Sequence, residues 1–200
     1  MPAAIDFYFD FSSPYGFLAS EKIEALAARH GRGIAWHPIL LGVVFKQTGA
    51  APLTQVPLKG DYSKRDFARS ARFHGVAFRM PSVFPISTQA PARIVLWLRR
   101  TEPARAVVAL HALYRAFFVD DVDISNPDRA AAIAAQSGVN TALARAAIDD
   151  PAIKDALRQE NDEAIAAGVF GSPFVIVDGE PFWGMDRLEQ ADRWLATGGW

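Results

Sequence analysis

A serine stands where the first strand expected from the sequence gives way to the first helix. Residues 5–11 (IDFYFDF) are aromatic with polar residues between them, which is typical of a buried β-strand, and Ser13-Pro14 then supplies a helix cap and first turn. The free N–H groups and the positive dipole end of that helix favour an anion such as a thiolate or a carboxylate. Ser13 is therefore a candidate catalytic residue, and the alternative is that it only caps the helix. No Gly-x-Ser-x-Gly motif surrounds it, which argues against serine hydrolase chemistry.

Two motifs near the end of the chain carry groups that could hold a peptide-like ligand. Residues 169–174 (VFGSPF) place Pro173 at a strand entrance, where a cis Ser172–Pro173 bond would turn the backbone groups of Ser172 outward. Residues 183–188 (WGMDRL) place Asp186 near the start of the last expected helix. An acidic side chain at that position either complements the helix dipole or binds a ligand ammonium group.

The composition excludes several other kinds of chemistry. The 200 residues contain no cysteine, which excludes disulfides, thiolate metal sites, cysteine nucleophiles and dithiol exchange. The four histidines lie without metal-ligand spacing, so no metal site is expected. A formal charge of −1 gives no electrostatic signature for nucleic acid or a membrane surface, and the apolar runs are too short to span a bilayer. We expect a cytoplasmic protein with no secretory signal in residues 1–4.

The elements that must position these residues follow an α/β pattern. Strand, helix and strand open the chain up to residue 39, which implies two parallel strands. Residues 42–59 are expected to be mostly irregular and residues 61–159 mostly helical. Strand character returns over 174–183 around an Asp-Gly turn, before a final helix. The economical arrangement is one sheet built from both ends of the chain, with a helical block between them.

Three motifs at matching spacing together resemble one known family. They are residues 10–15 (DFSSPY), 169–173 (VFGSP) and 183–188 (WGMDRL). The family is that of the 2-hydroxychromene-2-carboxylate isomerases, which are relatives of the kappa-class glutathione transferases within the Dsb-type thioredoxin-fold group. The resemblance covers essentially the whole chain, and the two later motifs are specific as a pair.

The resemblance implies a fold and a cofactor. The fold would be a thioredoxin-like domain formed by residues 1–40 and 160–200, with an all-helical domain inserted over 41–159, as in the Dsb-type and kappa architecture. Redox relatives carry a Cys-x-x-Cys pair where this chain has residues 13–16 (SPYG). The chain cannot exchange disulfides without a thiol, but the same helix terminus could hold the thiolate of glutathione. The resemblance also implies a homodimer.

The resemblance implies a role in glutathione binding for most of the candidate site residues. The Ser13 hydroxyl would hydrogen-bond the glutathione sulfur. The backbone of Ser172, before a cis Pro173, would pair with the cysteinyl backbone of glutathione. Asp186 and the Met185 amide would hold the γ-glutamyl end.

Two further positions of the implied glutathione site are compared with the corresponding residues of the relatives. Lys59 lies where the kappa enzymes have a lysine for a glutathione carboxylate. Relatives often carry an asparagine that reaches glutathione where this chain has Ala50. Lys59, Lys64 and Arg65 are the candidates for holding the substrate carboxylate.

The implied reaction interconverts a 2-hydroxychromene-2-carboxylate, a small aromatic carboxylate, with trans-o-hydroxybenzylidenepyruvate in aromatic catabolism. Reversible thiolate addition makes a double bond single, so that it can rotate before glutathione leaves unchanged. One alternative is a kappa-like glutathione transferase, in which the thiolate stays attached to an electrophile; Trp183 favours the isomerase because kappa enzymes tend to have a smaller aromatic there. The other is a non-catalytic thioredoxin-fold module that binds glutathione or a peptide, which Ala50 favours.

Overall fold

Strands from the two ends of the chain form one mixed sheet in the computed structural model, which describes residues 3–200. β1 (Ile5–Phe9) pairs in parallel with β2 (Ile34–Pro38) and antiparallel with β3 (Phe174–Val177), which pairs with β4 (Glu180–Trp183). The strand order is β2-β1-β3-β4. The expected parallel opening pair and the sheet shared between both ends of the chain are therefore confirmed.

A two-residue turn joins β3 to β4, as the Asp-Gly signal predicts. Asp178 and Gly179 both have positive φ, at 52° and 90°. Positive φ at both central residues is what a type I′ hairpin turn requires, and its twist matches that of the paired strands.

Helices surround the sheet and fill the chain between β2 and β3. Over residues 3–200 the α-helices are α1 (Pro14–Arg29), α2 (Leu41–Thr48), α3 (Lys59–Phe73), α4 (Gln89–Thr101), α5 (Pro103–Phe118), α6 (Pro127–Ala134), α7 (Thr141–Asp149), α8 (Pro151–Ala166) and α9 (Leu188–Thr197). Short 3-10 helices lie at Leu53–Gln55, Ala135–Ser137 and Met185–Arg187. In this described part of the chain, no helix is both long enough and apolar enough to cross a membrane.

The division into two domains stays a prediction. The sheet is formed from both ends of the chain, but the expected boundary at residue 160 falls inside α8. Residues 1 and 2, which belong to the segment expected to carry no secretory signal, lie outside the described residues.

The expectation that residues 42–59 are mostly irregular was wrong, because α2 occupies the first part of that segment. The residue before α2 is Leu40, which has no side chain that could cap a helix. The cap comes instead from the end of β1, where Asp10 Oδ2 accepts the Leu41 N–H at 2.6 Å. A cap supplied from about thirty residues away leaves no local signal in the sequence.

The end of β1 is held by aromatic packing. Phe7 and Phe9 face a large core that includes side chains of α1, α4 and α5, whereas Tyr8 faces a smaller cluster on the other side of the sheet. The Phe11 ring lies 5.4 Å from the Phe9 ring and 4.8 Å from that of Tyr114. These contacts fix the backbone where β1 passes into α1, which is where Ser13 lies.

Candidate active site

Ser13 both caps α1 and contacts the second motif of the site. Its backbone is extended (φ −106°, ψ 110°), and its Oγ accepts the Gly16 N–H at 3.0 Å. The same hydroxyl donates to the carbonyl oxygen of Ser172 at 2.7 Å. The two roles considered for Ser13 are therefore compatible, because the capping serine stands at the edge of a cleft.

The segment around Ser172 presents backbone groups beside Ser13. The Ser172–Pro173 bond is cis, as the family resemblance implied. The Ser172 Oγ accepts the Asp10 N–H at 3.0 Å, while the Ser172 N–H finds no acceptor within residues 3–200. One backbone donor of Ser172 is thus free for a ligand, and its carbonyl is held by Ser13.

A cleft with a volume of about 1180 Å³ opens over these residues. Its walls come from the β1–α1 junction, from α2 and the loop after it, from α3, from residues 84–89 and from the two C-terminal motifs. This volume is ample for a ligand as large as a tripeptide.

The cleft brings together all but one of the residues expected to hold glutathione: Ser13, Ser172, Pro173, Met185 and Asp186. The exception is Lys59, which is exposed at the first position of α3 and does not line the cleft. Lys64 and Arg65, the other two candidates for the substrate carboxylate, do not line it either. The lysine that does line it is Lys46 of α2. Ala50 also lines the cleft, so the departure from the family pattern lies inside the site.

Gly16 leaves no space for a second functional side chain next to Ser13. A Cβ at this position would lie 2.7 Å from Ser172 Oγ and 2.9 Å from the hydroxyl oxygen of Tyr114. The Tyr114 hydroxyl is itself committed, because it donates to the Asp10 carbonyl oxygen at 2.9 Å. The position that holds the second cysteine in redox relatives is therefore closed by packing in this chain.

Two aromatic side chains form part of the cleft wall beside Ser172. Phe170 and Trp183 meet edge to face, with ring centroids 4.8 Å apart, and both remain substantially exposed. Gly171 lets the indole lie close to the backbone, since a Cβ there would approach the Trp183 Nε1 to 2.3 Å. The wall therefore offers an apolar, fixed surface for a flat ligand group.

Asp10, for which no role was predicted from the sequence, lies in the cleft beside Ser13. Burial raises the pKa of the Asp10 carboxyl to about 6, even though hydrogen bonds from the Leu41 and Ser12 N–H groups act in the opposite direction. The position of Asp10 in the motif DFSSPY can be read from the sequence, but its burial cannot.

A second missed pair is Tyr15 and Asp66, which connect α1 to α3 across the cleft. The Tyr15 hydroxyl donates to the Asp66 carboxylate, and burial together with this carboxylate raises the pKa of Tyr15. No local pattern could have paired two residues that stand 51 positions apart.

Over residues 3–200, no group of three or more histidine, aspartate or glutamate side chains is placed to hold a metal ion. The groups around Ser13 in the cleft are a helix N-terminus, hydroxyl groups and the buried Asp10 carboxyl. This set can bind and orient an anionic group that another molecule supplies.

The chain is similar to proteins of one known family over nearly its whole length. Residues 4–196 match the family described as DSBA-like thioredoxin domain. The chain is 30% identical to a 2-hydroxychromene-2-carboxylate isomerase of Sphingobium xenophagum, over 98% of this chain and 99% of that protein. It is 27% identical to glutathione S-transferase kappa 2 of Caenorhabditis elegans, over 96% of this chain and 91% of that protein.

A solved structure of a 2-hydroxychromene-2-carboxylate isomerase superposes with a TM-score of 0.86 at 25% identity, covering 96% of this chain and 94% of that one. The likeness extends over the sheet and the helices alike, which confirms the expected thioredoxin-like fold with many helices. The chain therefore belongs to the DSBA-like thioredoxin domain family, together with relatives named 2-hydroxychromene-2-carboxylate isomerase and kappa glutathione S-transferase.

Proposed function

We propose that this protein is a glutathione-dependent isomerase of the 2-hydroxychromene-2-carboxylate isomerase type. The observation that supports it best is the position of Ser13, whose hydroxyl stands at the N-terminus of α1, inside the cleft and in contact with Ser172. A hydroxyl at a helix N-terminus can donate to a sulfur anion that the protein itself cannot supply, since the chain has no cysteine.

The polar groups of the cleft fit the chemistry of glutathione. The Ser172 N–H has no acceptor within residues 3–200, and neither has the N–H of Met185. Both can therefore pair with a peptide-like backbone. Asp186 offers a carboxylate for the ammonium group, and Lys46 offers a cation for a carboxylate.

Glutathione, when bound, would supply a thiolate that adds reversibly to the conjugated double bond of the substrate and so permits its rotation. Ser13 would hold that sulfur by turning its hydroxyl from the Ser172 carbonyl oxygen into the cleft. The Tyr15 N–H adds a second donor. It lies in the first turn of α1, directly after Pro14, and no carbonyl of residues 3–200 accepts from it. Phe170 and Trp183 would contact the flat aromatic part of the substrate.

A kappa-like glutathione transferase is the second candidate. The similarity to glutathione S-transferase kappa 2 over nearly the whole chain favours it. The two activities differ in the fate of glutathione, because an isomerase returns it unchanged whereas a transferase consumes it. The third candidate is a non-catalytic binding module, and the apolar Ala50 in the cleft favours it.

The first test is a calorimetric titration with reduced glutathione and with S-methylglutathione. We expect reduced glutathione to bind and the methylated form to bind more weakly to the wild type, with this difference lost in Ser13→Ala. A chromene substrate is then added while the glutathione concentration is followed. Product formed at constant glutathione supports the isomerase, consumption of glutathione supports the transferase, and binding without turnover supports the binding module. Failure to bind either form contradicts the proposal.

The substrate class of the proposal is a small aromatic carboxylate. The homodimer and the cytoplasmic location stay predictions.

A further inference from the structure

One carboxylate connects the beginnings of two helices that wall the cleft. Asp10 Oδ1 accepts the Ser12 N–H at 2.6 Å, just before α1. Its Oδ2 accepts the Leu41 N–H at 2.6 Å, at the first position of α2. The side chain of Thr88, the residue before α4, lowers the pKa of the same carboxyl group.

The backbone of Asp10 is tied to the active site as well. Its N–H donates to Ser172 Oγ at 3.0 Å, and its carbonyl oxygen accepts the Ser13 N–H at 2.9 Å and the Tyr114 hydroxyl at 2.9 Å. A shift of Asp10 would therefore be felt at both serines that contact the ligand in the proposed function.

The buried position of the Asp10 carboxylate is unfavourable for a charged group. Asp10 is 3% exposed, and within residues 3–200 no lysine, arginine or histidine forms an ion pair with it. Only N–H groups, a hydroxyl and the helix dipoles compensate its charge. Because the pKa is raised by burial, the ionised form at neutral pH lowers stability, so its presence is better explained by the site than by the fold.

We propose that Asp10 is a positioning residue that fastens α2 against the α1 N-terminus and makes ligand binding in the cleft depend on its own ionisation. The inference rests on the proposed function and names a regulation of the same site. The ionised carboxylate accepts from both Ser12 and Leu41. Protonation converts one carboxylate oxygen into a hydroxyl, which is a weaker acceptor, so one of these two bonds is weakened and the α2 wall, with Lys46, is held less firmly.

Other ionisable groups of the cleft do not replace Asp10 in this role. They lie on α1, on α2, on α3 and in the last motif: Tyr15, Lys46, Asp66, His74, Asp186 and Arg187. Among these, desolvation lowers the pKa of His74 below its ordinary value. The nearest group on α5 is Tyr114, whose burial keeps its pKa well above the ordinary value.

The unliganded protein provides the first arm of the test. In nitrogen–proton correlation spectra, the amide signals of Ser12 and Leu41 should titrate with a midpoint of about pH 6. Hydrogen-exchange protection of α2, corrected for intrinsic exchange rates, should fall below that midpoint. Asp10→Asn should abolish both changes. Asp123→Asn is the matched control, because Asp123 Oδ1 accepts the Ser125 N–H at 2.9 Å in the same i to i+2 geometry.

Ligand binding provides the second arm, with S-methylglutathione as the probe because it has no thiol proton. Affinity of the wild type should fall about fivefold from about pH 7.5 to about pH 5, and Asp10→Asn should show a flat profile. His74→Gln should keep the wild-type profile. A Leu41 amide that does not titrate, or an Asp10→Asn profile as steep as that of the wild type, overturns the inference. If no ligand binds at any pH while the amide titration is seen, the positioning role stands and the proposed function fails.

Discussion

The Ser13 hydroxyl donates to the Ser172 carbonyl oxygen at 2.7 Å, which joins two residues 159 positions apart in the chain. This bond occupies two groups that the proposed ligand would use, the hydroxyl proton and a backbone acceptor. A ligand that brings a sulfur to Ser13 and an N–H to Ser172 would replace one hydrogen bond by two. The bond therefore keeps both groups satisfied and correctly placed in the free protein.

Ser13→Ala should fold but lose most of the glutathione-dependent turnover. The loss of the cap at Gly16 should lower the free energy of unfolding by about 1 kcal/mol, to be measured by denaturant titration beside an isomerase assay. Asn140→Ala is the matched control, because Asn140 caps α7 in the same way and does not line the cleft. It should lose similar stability and keep full turnover. Equal turnover in the two variants would remove Ser13 from the mechanism.

The two lysines make a second matched pair. Lys46→Ala should weaken glutathione binding about fivefold to tenfold, corresponding to about 1 kcal/mol for a partly solvated charge contact. Lys59→Ala should change the affinity less than about twofold, since that side chain is exposed outside the cleft walls. Calorimetry in low salt gives both values. A larger effect at Lys59 would show that the position expected from the kappa enzymes is the correct one.

Gly16→Ala should destabilise the protein although alanine favours helices. The added Cβ meets Ser172 Oγ and the Tyr114 hydroxyl oxygen below 3.0 Å, so overpacking of about 1–3 kcal/mol outweighs the gain in helix propensity. Gly42→Ala is the control for stability, since a Cβ there meets nothing within 4 Å. It should raise the free energy of unfolding by about 0.4–1 kcal/mol. A stabilised Gly16→Ala protein would contradict the described packing.

The pH dependence of stability should include a contribution from Glu160. Burial raises its pKa, but hydrogen bonds from His37 and Arg99 and the charge of Arg99 outweigh burial and bring the pKa to about 2. Because this lies below the ordinary 4.5, the contribution is present above about pH 4.5 and is lost as the pH falls towards 2. Glu160→Gln should therefore lower the free energy of unfolding by up to about 3 kcal/mol at pH 7.

The same denaturation series at lower pH provides the check on Glu160. The difference between Glu160→Gln and the wild type should shrink as the pH approaches 2. Asp155→Asn, which removes an exposed partner of Arg158, should change stability by less than about 1 kcal/mol at either pH. A Glu160 effect that is constant with pH would mean that packing, and not the ion pair, stabilises this contact.

Much of the fold could be predicted because its signals are short-range. The strand and helix that flank Ser13 are specified by a few adjacent residues, and the Asp178-Gly179 turn by the positive φ that its own two residues tolerate. The cleft residues of the two C-terminal motifs were likewise identified from the chain alone. The assignment of Lys59 rested on its position in the chain, and the structure leaves it outside the cleft.

By itself, the sequence determined that a capped helix start follows the first strand and that the chain provides no thiolate there, because it contains no cysteine. Only the tertiary structure decided that α2 is a helix, that Gly16 is closed to a side chain and that Asp10 is a buried charge. The physical reason is distance along the chain. Leu41 and Ser172 reach Asp10 from 31 and 162 positions away, and hydrogen-bond partners, burial and the pKa depend on such contacts and not on local propensity.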